Sequence, residues 1–283
     1  MKRKAAVLYV METHTISERR ACGVLDINRT AYRYEPVILP DEDDKRQKVI
    51  YYATNFGRLG YKRVTDLINN NKKEDEENIN KKYVYRVWRE EGLKLPDKQI
   101  KRRRIHSNDG SCVRLRPEKR PNHVWSWDFI EDRTMDGRKV RWLNIIDEGR
   151  HMCLASKPRR SWKYNDVIEV LADLFLNDGI PEYLRSDNGP EFTAKKVKDW
   201  LNAAGVITTY IEPGSPWENG YCESFNSRMR DEFLNGELFG NMYEVEVLTK
   251  RWVKYYNEIR PHTSLRGKAP QMIIYSNNTN PAA

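Results

Sequence analysis

The spacing of hydrophobic residues changes near residue 123, and this change divides the chain into two kinds of structure. Up to residue 95, apolar positions recur three or four residues apart, as in helices with one buried face. From Trp125 onward, apolar residues first alternate with polar ones, which is the period of a strand, and helical and strand-like segments then follow in turn. We therefore predict small helical domains followed by a mixed α/β domain.

Residues 16–34 are predicted to form two short helices. Ser17 suits the N-cap of the first helix, whose apolar stripe would consist of Ala21, Cys22, Val24 and Leu25. Asp26-Ile27-Asn28 would form the turn, and residues 29–34 the second helix. This is the layout of a helix-turn-helix, whose second helix enters the major groove of DNA. The pattern alone does not separate it from an ordinary helical hairpin.

A second helical unit is predicted between residues 43 and 95. A stripe of three apolar residues marks one of its helices: Val64, Leu67 and Ile68. Further along, Arg86 and Arg89 lie one turn apart and could grip the phosphates of DNA. Pairing of these arginines with Glu90 and Asp66 is an equal alternative, so the pattern leaves their role open.

The pattern of apolar and polar residues in the second half of the chain predicts a sheet. The strands at 125–130 and 139–147 are expected to pair as an antiparallel hairpin through the turn at Asp136-Gly137, and a third strand follows at 151–156. The later segments are, in order, a helix at 167–175, a strand at 182–186, a helix at 193–204, a strand at 206–211, a helix around Glu223 and a helix at 243–258. With helices on both faces, this order predicts an α/β mixed sheet of the ribonuclease-H type.

Composition and charge indicate a folded chain and the kind of partner that it binds. Hydrophobic residues make up 39% of the chain, which is enough for a core and excludes global disorder. The formal net charge is +9. Residues 1–120 hold 29 Lys and Arg against 18 Asp and Glu, whereas residues 121–283 hold 21 against 23. The basic excess is therefore N-terminal, which favours nucleic-acid binding by the first half over a merely solvated basic surface.

Residues 97–122 lack periodicity and are predicted to be a basic linker. Four consecutive cations in it would contact DNA phosphates: Lys101, Arg102, Arg103 and Arg104. A linker that only aids solubility is the alternative. The four cysteines are scattered without a C-x-x-C pair, so neither disulfides nor a structural zinc is expected. No apolar run approaches the length of a membrane span, and a cytoplasmic location is expected.

Three acidic residues in the second half are candidates for a metal site. Asp187 ends an apolar run, and 35 residues separate it from Glu223. Asp128 lies in a strand and faces away from the side of Trp125 and Trp127. Carboxylates at these three positions could hold Mg²⁺, because that ion takes hard oxygen ligands. In the helix of Glu223, Ser227 and Arg230 project close to the carboxylate and Asn226 flanks the same face.

Three motifs carry a resemblance to a known family. Trp127-Asp128, the segment D-N-G-P-E-F at 187–192 and the segment N-G-Y-C-E-S-F-N at 219–226 match the Asp-Asp-(35)-Glu core of retroviral-type integrases. The chain most resembles bacterial insertion-sequence transposases encoded by a second reading frame (OrfB type). The resemblance extends to F-G-R-L-G-Y-K-R at 56–63 and N-E-I-R-P-H at 257–262. It departs from the retroviral enzymes at the N-terminus, where their His-His-Cys-Cys zinc module is replaced by a helix-turn-helix.

The resemblance implies an activity, a cofactor and partners. Asp128, Asp187 and Glu223 would hold two Mg²⁺ ions, for which Mn²⁺ could substitute, and would cleave and transfer DNA strands by in-line phosphoryl transfer. The DNA partners would be the terminal inverted repeats of the element and a target duplex. A homo-oligomer on DNA is expected, because two element ends must be joined. A product of an upstream reading frame (OrfA type) is a further expected partner, and no membrane is expected.

Several other residues are expected to contact DNA, and others to be structural. Besides the four linker cations, the expected contacts are Arg29, Arg33, Lys62, Arg63, Arg86, Arg89, Trp217, Asn219, Tyr221 and Arg230. Trp217 and Tyr221 could stack on splayed bases, with core packing as an equal alternative. Asp147 is expected to be a strand-end residue without a metal role, and His262 a structural histidine.

The predicted domains are a helix-turn-helix at 1–40, a second helical DNA-binding domain at 41–96, the linker at 97–122, the integrase-like core at 123–240, and a C-terminal helix and tail at 241–283. A DNA transposase is the favoured function. A DNA-binding regulator that has lost catalysis is an alternative, but it would not need three acids. A nuclease that acts on RNA–DNA hybrids is a third hypothesis, but the helix-turn-helix and the basic linker favour duplex DNA as the substrate.

Overall fold

The structure is a computed structural model, and it describes residues 2–35, 41–95, 117–186, 194–210 and 220–273. The chain falls into two compact units, Met1–Gln47 and Lys48–Ala283. Among the described residues, no helix has both the length and the apolar character needed to cross a membrane. The five-domain division predicted from the sequence stays a prediction.

Residues 2–35 of the first unit form three helices: α1 (Lys2–His14), α2 (Glu18–Val24) and α3 (Arg29–Arg33). The two helices predicted around the turn at 26–28 are confirmed, and Asn28 caps α3 by accepting a hydrogen bond from the backbone of Thr30. Helix α1 was not predicted. Its Val7 packs on Ala21 and Cys22 of α2 to form the small core. The predicted stripe is wrong at Val24, which is 68% exposed, because α1 covers the other side of α2.

The second unit begins with three more helices: α4 (Glu42–Asn55), which starts before the boundary, α5 (Tyr61–Asn70) and α6 (Lys81–Glu90). Their shared core includes the predicted stripe of α5, together with residues from both neighbours: Val49, Ala53, Val64, Leu67, Ile68, Val84, Val87 and Trp88. Helix α6 ends where Gly92 adopts φ +65°, a conformation that glycine adopts without steric cost.

The described residues form a sheet of five strands: β1 (Val124–Arg133), β2 (Lys139–Asp147), β3 (Met152–Arg159), β4 (Tyr183–Ser186) and β5 (Ile207–Tyr210). Their order across the sheet is β3-β2-β1-β4-β5. The first three strands pair antiparallel, whereas β4 runs parallel to β1 and β5 runs parallel to β4. This mixed sheet confirms the predicted ribonuclease-H-type architecture and the hairpin between β1 and β2.

Helices cover both faces of the sheet, as predicted. Helices α7 (Tyr164–Asn177) and α8 (Lys195–Ala203) pack on one face, and α9 (Gly220–Glu232) and α10 (Met242–Lys254) pack on the other. The core between the sheet and helices α7 and α8 includes Trp125, Trp127, Leu143, Ile145, Val167, Leu171, Leu184, Val197 and Leu201. The core between the sheet and helices α9 and α10 includes Ile130, Trp142, Ile146, Cys222, Phe225, Met229 and Trp252.

The segment after α10 fastens α9 and β3 to the rest of the second unit. The side-chain amide of Asn257 donates to the backbone oxygen of Cys153 in β3 at 2.8 Å and accepts from its backbone nitrogen at 2.9 Å. Arg260 holds the carboxylate of Glu232 in α9 through two hydrogen bonds of 2.6 and 2.5 Å. Helix α5 joins the same segment, because Asn70 donates to the backbone oxygen of Gly267 at 2.7 Å.

Candidate active site on the sheet face under α9

Asp128 lies in the middle of β1, on the face of the sheet that α9 covers. One carboxylate oxygen accepts a hydrogen bond from the backbone nitrogen of Phe129 at 2.7 Å. The other oxygen accepts from the side-chain nitrogen of Asn226 in α9 at 2.8 Å. The predicted orientation of Asp128, away from Trp125 and Trp127, is confirmed, because both tryptophans belong to the core on the opposite face.

A second asparagine extends this contact to the neighbouring strand. Asn144 of β2 lies opposite Asp128 in the antiparallel register and is fully buried. Its side-chain nitrogen donates to the side-chain oxygen of Asn226 at 2.7 Å. The chain of bonds from Asn144 through Asn226 to Asp128 therefore fixes the rotation of α9 on the sheet. The sequence pattern put Asn226 on the flank of this face but gave no sign of its partners.

Glu223 lies in the first turn of α9, where a negative charge is favoured by the helix dipole. It is exposed, and its side chain makes no ion pair or hydrogen bond with any described residue. Asn226 follows it by three residues, so the two side chains are neighbours along one side of the helix. Asp128 and the helix of Glu223 are thus brought together by the Asn226 bond.

Arg230 is held at the end of β1. Its guanidinium donates to Asp132 at 3.2 Å and to the backbone oxygen of Glu131 at 2.5 Å. Two turns of α9 separate it from Glu223, on the same side of the helix. On the far side of α9, Phe225 and Met229 are buried, and so is Phe233 just beyond the end of the helix.

The third predicted carboxylate, Asp187, lies outside the described residues, as do Trp217, Asn219 and the linker cations Lys101, Arg102, Arg103 and Arg104. The residue before Asp187 in the chain is Ser186, which ends β4, and the register pairs Arg185 of β4 with Ser126 of β1. Within the described ranges there is no cluster of three or more His, Cys, Asp or Glu that could hold a metal ion.

A buried ion pair underlies this face and was not predicted. The guanidinium of Arg185 lies 3.4 Å from the carboxylate of Glu148, and the two side chains are only 4% and 0% exposed. Glu148 follows β2, and its backbone nitrogen donates to Val124 of β1 at 3.0 Å. The pair therefore spans from the end of β2 to β4, two residues before Asp187. Nothing in the local sequence pattern links these two residues, which lie far apart in the chain.

The remaining described candidates for DNA contact have varied environments. In the first unit, Arg29 and Arg33 both pair with Glu18, at 3.1 and 3.0 Å, and their hydrogen bonds lower the pKa of that carboxyl. In the second unit, Arg86 is exposed and lies near Glu90, at 4.0 Å. Lys62 and Arg89 are exposed as well.

Tyr221 and Arg63 line a cavity beside α9. The ring of Tyr221 packs on His151 with centroids 5.1 Å apart. Burial, together with the charges of Arg260 and Arg228, lowers the pKa of Arg63. Both residues are partly buried, so they combine packing with access to a ligand.

Two groups expected to be structural are buried and engaged. Asp147, at the end of β2, accepts from the backbone nitrogen of Asn122 at 3.0 Å and from the side chain of Arg150 at 2.7 Å. His262 packs edge-on against Tyr256 with centroids 4.7 Å apart. Burial and the nearby charge of Arg260 lower the pKa of His262 to about 3, so its ring is neutral near pH 7.

Two family models, both described as integrase core domain, match residues 118–216 and 204–270. A structure of the HTLV-2 integrase catalytic core domain in complex with magnesium is 15% identical, covers 56% of this chain and 99% of its own, and superposes with a TM-score of 0.45.

Two bacterial relatives cover nearly the whole chain. An uncharacterized 31.7 kDa protein of insertion element IS407 from Burkholderia multivorans is 32% identical over 92% of this chain and 91% of its own length. InsK of Escherichia coli strain K12, named a candidate transposase for insertion sequence element IS150, is 27% identical over 90% of this chain and 91% of its own length. The chain thus belongs to the family of insertion-sequence transposases with an integrase core domain, which act on DNA.

Proposed function

We propose that this protein cleaves DNA at the ends of its insertion element and joins the cleaved strands to a target duplex. The observation that carries the proposal is the 2.8 Å hydrogen bond from Asn226 to Asp128. This bond sets one turn of α9 beside the middle of β1, and Glu223 belongs to the same side of that turn. Two acids from distant parts of the chain are thereby held on adjoining elements, which a DNA-binding regulator would not need.

The acids are suited to Mg²⁺. Asp128 is half-buried and held by two hydrogen bonds, whereas Glu223 is exposed and not engaged by any described residue. Their oxygens are the hard ligands that Mg²⁺ and Mn²⁺ prefer, and both ions leave positions for water and phosphate. With Asp187 as the third ligand, these acids would hold two ions. When bound, the ions supply Lewis acidity, which lowers the pKa of an attacking hydroxyl and neutralises charge on the leaving oxygen.

The chain's own side chains supply orientation rather than a nucleophile. Asn226 orients the carboxylate of Asp128, and Arg230 places a cation two turns beyond Glu223, where a DNA phosphate could contact it. The nearest thiol, Cys222, is fully buried, and burial together with the charge of Asp128 raises its pKa, so it stays protonated. These features favour direct displacement by water or by a DNA 3′-hydroxyl, without a covalent protein–DNA intermediate.

The proposed partners follow from this chemistry. The protein would bind the terminal inverted repeats of its element and a target duplex, and it would act as a homo-oligomer because two ends must be joined to one target. An upstream-frame product of the OrfA type would either accompany the chain or be fused to it. Arg29, Arg33, Lys62, Arg86 and Arg89 remain proposed DNA contacts.

The test is Mg²⁺-dependent cleavage and strand transfer on a labelled duplex that carries the element's end. Wild type would be compared with Glu223→Gln and with Glu246→Gln, an exposed acid on α10 that serves as the matched control. Each protein would be assayed with and without the upstream-frame product.

We expect activity from wild type and from Glu246→Gln, and retained DNA binding without chemistry from Glu223→Gln. Binding without chemistry in every mixture, in Mg²⁺ and in Mn²⁺, would instead favour a regulator. Cleavage confined to the RNA strand of a hybrid would favour a ribonuclease.

A further inference from the structure

Two adjoining cavities, of which the first lies beside α9, share His151 and Ser264 as a common wall. The first has a volume of about 440 Å³ and lies between α9, the segment after α10 (residues 256–273) and α5. The second has a volume of about 690 Å³ and lies between that segment and the turn from β2 to β3. Together we call them the basic groove.

The groove has a one-sided charge. The first cavity is lined by three arginines, Arg63, Arg228 and Arg260. The second is lined by five cations: Lys119, Arg120, Arg150, Arg266 and Lys268. None of the described residues that line either cavity is Asp or Glu. A concave surface with one sign of charge concentrates its field and attracts ligands of the opposite sign.

Some of these cations are already neutralised by acids outside the groove. Arg260 is paired with Glu232, Arg150 with Asp147, and Arg120 with both Glu118 and Glu182. In contrast, the side chains of Arg63 and Arg228 make no ion pair or hydrogen bond with any described residue, although both are partly buried and the charge of Glu232 acts on Arg63. Partly desolvated guanidinium groups without a partner gain most from an anion that can accept several of their hydrogen bonds.

The charge of the groove does not depend on its histidines. Burial lowers the pKa of both His151 and His262, and the pKa of His262 is about 3. Both rings are therefore neutral near pH 7, and the positive charge comes from arginine and lysine alone. Hydroxyl groups of Ser224, Thr263 and Ser264 lie among these cations and add neutral hydrogen-bond donors.

The groove lies next to the proposed catalytic face. Gly220, Ser224 and Arg228 line it from one side of α9, spaced four residues apart. Ser224 immediately follows Glu223 and projects about 100° around the helix from it. A polymer held along this side of α9 would therefore continue onto the side that carries Glu223.

We propose that the basic groove binds the phosphodiester backbone of the DNA substrate, with Arg63 and Arg228 holding phosphates next to the one that reacts. The proposal rests on the proposed function, because it assigns a second contact surface for the same DNA. Guanidinium and hydroxyl groups match phosphate oxygens and carry no sequence information, so the groove sets the position of the strand rather than its identity.

The test measures the affinity of the full chain for two unrelated labelled duplexes as a function of salt. We expect Arg63→Gln and Arg228→Gln each to lower the slope of log affinity against log salt by about 1, and to weaken binding on the order of tenfold at low salt, equally for both duplexes. Arg228→Lys should keep the slope of wild type because it keeps the charge. Lys250→Gln, an exposed cation on α10 outside the groove, is the matched control and should change neither quantity.

A second measurement leaves the protein unaltered, in case a variant does not fold. Wild type would be treated with phenylglyoxal, which modifies arginine, with and without duplex, and the modified positions would be located by mass spectrometry. We expect the duplex to protect Arg63 and Arg228 but not Arg251, which is exposed on α10.

The outcomes separate this inference from the proposed function. The proposal that the groove binds DNA would be overturned if both Gln variants have the same salt slope as wild type. It would also be overturned if the duplex does not protect Arg63 and Arg228 from phenylglyoxal. Either result counts even if strand transfer is intact. If both Gln variants lower the salt slope but the protein neither cleaves nor transfers DNA strands, the groove is supported and the proposed function is contradicted. A chain that binds no duplex at low salt would overturn both, and protection by an acidic polypeptide but not by DNA would overturn the choice of ligand.

Discussion

The two faces of the sheet are built from the same strands and both pack on helices, but the polar side chains of the proposed site lie on the face under α9. Under α7 and α8, strands β1, β2 and β4 present an apolar surface that includes Trp127, Leu143 and Leu184. Under α9, the same three strands combine apolar side chains such as Ile130 and Trp142 with polar ones, among them Asp128, Asn144 and Arg185. Side chains alternate along each strand, so one residue contributes to packing and the next to the proposed site.

The difference shows how a small sheet can combine stability with chemistry. Polar groups are tolerated inside the second unit because they are engaged: Asp128 by Asn226, and Arg185 by Glu148. On the apolar face, substitutions should therefore alter stability before activity. On the face under α9, they should alter activity, or should destabilise by leaving a buried charge without its partner.

The largest effect on stability is expected from the buried ion pair. Arg185→Gln leaves Glu148 as a buried charge and should lower the free energy of unfolding by about 3–5 kcal/mol, measured by denaturant titration. The double variant Arg185→Met with Glu148→Leu removes both charges and should recover much of the loss. Equal destabilisation by the single and the double variant would show that the ion pair is not the cause.

On the apolar face, Leu143→Ala should lower the free energy of unfolding by about 2–5 kcal/mol, because the side chain is fully buried and leaves a cavity. Strand transfer measured well below the melting temperature should change little. A loss of strand transfer as large as that of Glu223→Gln, in a folded protein, would contradict the separation of the two faces.

On the face under α9, Asn226→Ala should have the opposite effect and should lower activity more than stability. Strand transfer should fall roughly 10–100-fold, since Asp128 loses the group that orients it, while stability falls by only about 1 kcal/mol. Asn202→Ala, on the exposed side of α8, is the control for loss of a surface amide. Unchanged strand transfer in Asn226→Ala would remove this residue from the site.

The smallest effect is a dependence of stability on pH. The pKa of His262 is about 3 in the folded protein, below the ordinary value near 6.5, so the unfolded chain binds the proton more readily between these values. Stability should therefore fall as the pH drops below about 6.5, by about 1.4 kcal/mol at pH 5.5 from this group. His262→Asn should lose correspondingly less stability between pH 7.5 and 5.5, and an equal loss would contradict the assignment.

The elements that could be predicted from the sequence are those with a local signal. Alternation of polarity defined β1 and the orientation of Asp128, and the spacing of apolar residues defined α5 and α7. Helix α1 was missed because Ala5, Ala6, Val7, Leu8 and Val10 form a nearly continuous apolar run without helical period. Once α1 was missed, the exposure of Val24 could not be foreseen either.

The site was predictable only in part, for a related physical reason. Asp128 and Glu223 belong to short motifs, so the sequence indicated them directly. The Arg185–Glu148 pair and the basic groove depend on contacts between segments far apart in the chain, and a single sequence holds no local record of such contacts. Asp187 lies outside the described residues, so its assignment still rests on the motif.

The most direct test of the proposed metal site is Mn²⁺ binding to the DNA-bound protein, followed by electron paramagnetic resonance. Wild type, Asp128→Asn, Glu223→Gln and the control Glu246→Gln would be titrated side by side. If Asp128 and Glu223 hold metal, their variants should bind Mn²⁺ at least about tenfold more weakly, while the control matches wild type. Affinities equal to that of wild type in both variants would show that these acids are not metal ligands, and the proposed active site would be wrong.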